Sequence, residues 1–205
     1  MNSMSPNDAL VLASQLSMGF ALSATCGLRA FLPLFAASVL SHLGYFSLGD
    51  SFLWMSSVPA MVVFGSAVVF ELVGDKFPAV DHALDAGGLV VKPAAATLLA
   101  ASMFTHVDPL FAAVLGLVTG GVAAGGVHLV KTKTRLASSL LTMGFGNPVL
   151  SVLEDVAAFV SIVLAVLLPL FAAVMILGLM CMAVALALLF RDHRNSRRRP
   201  APVAL

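Results

Sequence analysis

The chain has two glutamates, Glu71 and Glu154, and both stand inside apolar runs. An ionised side chain at membrane depth costs about 2.5–3.5 kcal/mol on insertion scales, so each of them calls for a reason. Asp75 follows Glu71 by four residues, a spacing that puts both carboxylates on one helix face. Asp155 stands next to Glu154, shortly after Asn147-Pro148, which reads as a helix start with Asn147 as the capping residue and proline at the first helical position. Between the two acidic pairs runs a polar stretch in which Asp81 and Asp85 repeat the four-residue spacing, with His82 beside Asp81. Hard divalent cations prefer carboxylate oxygens, and imidazole suits softer ions. Glu71, Asp75, Asp81, Asp85 and Glu154 are therefore the candidate cation or proton site. The competing reading makes Asp75, Lys76, Asp81 and Asp85 a solvated loop held by local ion pairs.

Basic residues complete the polar set. Arg29 lies within an apolar run, where a guanidinium fork can hold a carboxylate such as Glu71 or Glu154, or an anionic group. A buried structural pair or a snorkelling side chain is the alternative. Lys92-Pro93 and the run Lys131, Lys133 and Arg135 read as anchors at span ends. His42, His106 and His128 read as structural, and Cys26 and Cys181, without CxxC spacing, as small packing residues. Phosphate-loop, HExxH, GxSxG and Ser/His/Asp patterns are missing from the sequence. The expectation is a protein that is not an enzyme and holds no cofactor, with a divalent metal entering only as something carried.

These residues need elements to position them, and the composition says which. The chain of 205 residues is 60% hydrophobic and 10% charged, against about 25% charged for a soluble domain. An all-α, polytopic transmembrane bundle is expected, with residues 1–190 as one membrane domain and 191–205 as a basic cytoplasmic tail. A net charge of +1 excludes a nucleic-acid partner, which would need a basic face. Apolar runs at 12–44, 58–75, 87–104, 109–130, 149–168 and 170–190 predict six spans. The first covers 33 residues, about 50 Å as a helix against a hydrocarbon core of about 30 Å. A break is expected at Cys26-Gly27-Leu28-Arg29, ahead of Pro33. The other solution is two spans with Gly27 as the turn, which would move the N-terminus outside. Two groups of three spans also admit an inverted repeat.

Lys76, Lys92, Lys131, Lys133, Arg135 and the five tail arginines all fall on one side, and the opposite links carry no Lys or Arg. Both termini are accordingly predicted cytoplasmic, in a multi-pass cell inner-membrane protein. Tyr45 and Trp54 fit an interfacial belt in the first outer link. The arginine-rich tail can also meet anionic headgroups. Gly116 with Gly120, and Gly121 with Gly125, predict close helix contact.

The motifs Gly27-Leu28-Arg29-Ala30-Phe31-Leu32-Pro33-Leu34, E-x-x-x-D-K-x-P-x-x-D from Glu71 to Asp81, Lys92-Pro93, Thr134-Arg135, Gly146-Asn147-Pro148 and Glu154-Asp155 run through most of the chain. Together they resemble the domain-of-unknown-function 4126 family, and the resemblance implies a small polytopic inner-membrane protein. Glu71-Leu72-Val73-Gly74-Asp75-Lys76 is similar to the E-x-G-D-K signature of exporters handling Mn²⁺ and Ca²⁺, with one extra residue between Glu and Gly. That similarity implies acidic residues lining an ion site. The function expected is a secondary transporter or exporter of a small cation or metabolite. The rival is a non-transporting subunit or assembly factor whose charges pair with a partner. The expected partners are the bilayer, a small ion or metabolite, and a second copy or another membrane protein.

Overall fold

The structure is a computed structural model that describes residues 6–105, 107–143 and 145–169, and positions 171, 174, 177, 178, 181, 182 and 185. Most of the predicted sixth span at 170–190, the tail 191–205 and His106 lie outside the described residues, as do the side chains of Asp81 and His82.

The chain is helical throughout. The order is α1 (Pro6–Thr25), α2 (Phe31–His42), a 3-10 helix (Asp50–Ser56), α3 (Val58–Gly74), α4 (Pro78–Ser102), α5 (Pro109–Gly116), a π-turn (Leu117–Gly121), α6 (Val122–Thr142) and α7 (Asn147–Leu167). Local chemistry sets several starts. The Ser57 hydroxyl accepts from Ala60 N, and the Asp108 carboxylate accepts from Leu110 N at 2.9 Å, each with proline in the first turn.

Among the described residues, three helices are long and apolar enough to cross a membrane: Ala83–Ser102, Pro109–Thr142 and Asn147–Leu167. The 3-10 helix and α3, bent by 64° at Ser57, make a fourth if taken together. The distribution of residues is that of a membrane protein. Val90, Leu110 and Val62 are 74%, 72% and 64% exposed, while Arg29, Lys92 and Lys131 are 1%, 4% and 5% exposed. In lipid the apolar faces can point outward, and ionisable groups turn to the bundle interior.

The long first run breaks where glycine allows it. Helix α1 ends at Thr25, turn bonds from Gly27 N to Ala24 O and from Leu28 N to Thr25 O close it, and α2 starts at Phe31. A Cβ on Gly27 would stand 2.4 Å from the Ala124 carbonyl oxygen, so the break is pressed directly onto α6. Helix α1 packs on α4, α6 and α7, whereas α2 packs on α3.

Two boundaries differ from those expected. The polar stretch after α3 is not a loop: Pro78 starts α4 almost at once, so Asp81 and Asp85 are helical. The fourth span does not end at residue 130, because α6 runs on to Thr142 and carries Lys131 and Arg135 in mid-helix. Proline at a helix start is pre-organised for the first turn, and this outweighs the polar composition of the stretch.

Small residues bring α4 against the α5–α6 unit. A Cβ on Gly120 would meet the Ala96 carbonyl oxygen at 2.5 Å and Ala100 Cβ at 2.8 Å, whereas one on Gly125 would meet nothing within 4 Å. Gly120→Ala should therefore lower the melting temperature of the detergent-solubilised protein, by the about 1–3 kcal/mol that overpacking costs. Gly125→Ala should leave it unchanged or raise it through helix propensity. Equal melting temperatures for the two variants would refute this packing.

Candidate functional site

The charged residues gather at one end of the bundle, brought there by the α1–α2 break, the end of α3, the first half of α4, the middle of α6 and the start of α7. Glu71, on α3, is 7% exposed and faces the break. Its Oε1 accepts from Ala30 N at 2.9 Å and its Oε2 from Phe31 N at 3.2 Å. The first turn of any helix leaves backbone N–H groups without intrahelical partners. No nearby side chain caps α2, so a glutamate from another helix does it.

Arg29, in the break, is 1% exposed and pairs with Asp75 of α3 and Asp155 of α7, with its Nη2 also 3.3 Å from Ser151 Oγ. Lys76 approaches the same pair, 3.8 Å from Asp155 and 3.3 Å from Ser151 Oγ. Arg135, on α6, is the second hub. Its Nε and Nη2 donate to the two oxygens of Glu154 at 3.2 and 3.1 Å, a bidentate fork. The same guanidinium reaches Asp85 at 3.4 Å and Asp75 at 3.7 Å. Lys131, one turn before it, stands 3.1 Å from Glu154 and 3.9 Å from Asp85, and donates to the Leu28 carbonyl in the break at 3.3 Å. Deeper along α4, Lys92 Nζ is 3.1 Å from His128 Nδ1 of α6.

Of the expected cation site, Asp75, Asp85 and Glu154 meet around Arg135, and Glu71 stands at the head of α2. The Asp81 side chain lies outside the described residues. The acids meet bases rather than one another. Arg29, Lys76, Lys92, Lys131 and Arg135 balance Glu71, Asp75, Asp85, Glu154 and Asp155 in number. Among the described residues no three His, Cys, Asp or Glu side chains form a group suited to a metal ion. A buried charge is tolerated when it is paired and hydrogen-bonded, and this end of the bundle is built on that rule.

Two expectations need correction. Asn147 does not cap α7: the helix already includes it, and its amide instead donates to Ser139 Oγ of α6 at 2.9 Å. Once inside the first turn, its side chain no longer sits where it can accept from the following N–H groups. Lys131 and Arg135 are not merely anchors at a span end, since both are 5% exposed and hold the acids of three other helices. His128, Lys131 and Arg135 recur at intervals of three and four, one stripe of α6, which is the signal that could have revealed them.

The arrangement ties five elements together through charge, and an added charged solute or a proton changes its balance at once. Neither the curated proteins nor the solved structures contain a match to this chain. The family model described as Domain of unknown function (DUF4126) matches residues 16–188. That stretch holds the break, both arginine hubs and every acid of the network, and the chain belongs to the DUF4126 family.

Proposed function

We propose that the protein is a secondary transporter of a small charged solute in the inner membrane, with both termini cytoplasmic and no enzymatic chemistry of its own. The observation that supports this reading is the broken first helix, whose break carries Arg29 into the same charge cluster that Glu71 caps. Discontinuous helices at charged sites are the architecture by which transporters expose a site to each side in turn. The π-turn and Pro93 interrupt two more helices beside it, which gives the bundle places to bend.

Saturation of the acids by Arg and Lys favours a solute that exchanges with an ion pair over a bare divalent cation seated among free carboxylates. A small carboxylate or phosphate would compete for Arg29 or Arg135, and a proton would release Asp155. The test is a thermal-shift panel on the purified protein with small organic anions, inorganic phosphate, Mn²⁺, Mg²⁺ and Ca²⁺. Ligands of the folded state raise its melting temperature by mass action. Flux of the ligand that shifts it is then measured in reconstituted vesicles. Asp155→Asn, at the solvent edge of the network with 27% exposure, should cut coupled flux at least tenfold while insertion is kept. Unchanged flux in that variant would overturn the reading.

A second reading has its own support. A network in which every acid has a base is also what a rigid, non-transporting subunit would use to hold its helices in register. It predicts a stoichiometric membrane partner after cross-linking in native membranes, and no ligand shift for any member of the panel.

A further inference from the structure

The charge network leaves one pair to itself. Lys92 and His128 face each other across α4 and α6 with Nζ and Nδ1 3.1 Å apart, and both are nearly inaccessible at 4% and 2% exposure. Lys92 Nζ makes no printed ion pair with a carboxylate, unlike Lys76 and Lys131. His128 Nε2 is buried and has no hydrogen-bond partner among the described residues. Gly88 flanks both side chains: a Cβ there would stand 3.2 Å from His128 Cε1 and 3.2 Å from Lys92 Cε, so its absence leaves room for the ring beside Nε2.

We propose that Lys92 and His128 form a proton-binding site inside the bundle, in which Lys92 stores the proton and His128 Nε2 is the atom through which it enters and leaves. In the loaded state the Lys92 ammonium donates to Nδ1, and the imidazole carries its own proton on Nε2. Release takes the Nε2 proton to a water molecule, and one Nζ proton crosses to Nδ1. The pair is then a neutral amine accepting from Nδ1–H, with Nε2 left as an acceptor. One proton has gone, one positive charge has gone with it, and the Nζ–Nδ1 contact has survived. A lone buried lysine would have to break its contact to lose a proton. The two ring nitrogens of histidine make the exchange continuous.

The charges that face this pair are Asp85 from α4 itself, Glu71 from α3 and Lys131 from α6. No described side chain of α1, α5 or the π-turn brings another charged group to it. Asp85 and Glu71 favour the loaded state and Lys131 opposes it, so movement of the Asp85–Arg135–Lys131 contacts would change the proton's hold. The Gly88 gap sets the size of any visitor at Nε2 to about a water molecule.

The site rests on these two residues and not on a transported solute. The test is isotope-edited NMR of the full chain in nanodiscs, with the His128 ring nitrogens and the Lys92 amine followed from mildly acidic to mildly alkaline pH. The expected result is that His128 changes from the Nε2–H to the Nδ1–H form at the same midpoint at which Lys92 loses its charge. Lys92→Arg, which keeps a permanent cation, should hold His128 in the Nε2–H form throughout. A wild-type His128 that keeps one neutral form beside a permanent ammonium overturns the proposal, as does a tautomer change that persists in Lys92→Arg. Should that variant not fold, the coincidence of the two wild-type midpoints decides alone. A tautomer change without flux of any solute would count against the transporter reading and leave the proton site standing.

Discussion

Arg135→Gln should lower the melting temperature of the purified protein by about 6–20 °C, more than removal of any other base in the network. The guanidinium holds Glu154 by a two-pronged fork and reaches Asp75 and Asp85 as well. Its loss leaves three carboxylates short of a partner in a site that water barely enters. Breaking a buried pair from one side costs about 3–5 kcal/mol, and a chain of this size loses about 2–4 °C for each kcal/mol. The cost comes from the acids left behind rather than from the missing base. Neutralising Glu154 at the same time should therefore restore part of what was lost, so that Arg135→Gln with Glu154→Gln melts above Arg135→Gln alone. Arg135→Lys should fall between the wild type and Arg135→Gln, because an ammonium keeps the charge and cannot form the fork. Circular dichroism melts of the four proteins check the order, and a double variant less stable than the single one would sink the explanation.

Glu71→Ala should be the most damaging change among the acids, and for a different reason. Its two oxygens satisfy the backbone N–H groups of Ala30 and Phe31 at the head of α2. Leaving a buried donor unsatisfied costs about 1–3 kcal/mol, so two of them put Glu71→Ala at about 2–6 kcal/mol. Glu71→Gln keeps one acceptor oxygen but turns an NH₂ group toward the second N–H, and should recover less than half of the loss. Glu71→Asp keeps the charge but is one methylene short of reaching both donors. The same variants separate capping from ligand binding: hydrogen exchange of the first turn of α2 should quicken in Glu71→Ala and Glu71→Gln with no ligand present. An unchanged exchange rate at Ala30 and Phe31 would remove the cap from the account.

The fold shows why some of this was legible in one dimension and some was not. A helix of 33 residues cannot fit a bilayer unbent, so the break at Gly27 followed from length alone. Glu71 stood out because charge at depth is expensive. Its task did not, since the donors it serves lie 40 and 41 residues away in sequence. Lys131 and Arg135 were hidden by a sufficient explanation: basic residues after an apolar run satisfy the positive-inside rule, and nothing local distinguishes an anchor from a hub. Their three- and four-residue spacing with His128 carried the information, and only the acids of α3, α4 and α7 gave it a meaning. Asn147 failed by a single residue, the usual uncertainty of a helix start, and that was enough to turn a cap into a crosslink to Ser139.

The π-turn at Leu117–Gly121 makes the reading frame of the helix itself a structural quantity. A π-turn holds one residue more than the α-helical turn it replaces. Deleting one residue there would restore a regular helix and rotate everything downstream by about 100°. His128, Lys131 and Arg135 would then swing off the face they share with the acids, although not one of them had been altered. Spacing between Pro109 and Arg135 is thus held to the residue: a substitution on the lipid-facing side of this segment can be absorbed, whereas the gain or loss of a single codon cannot.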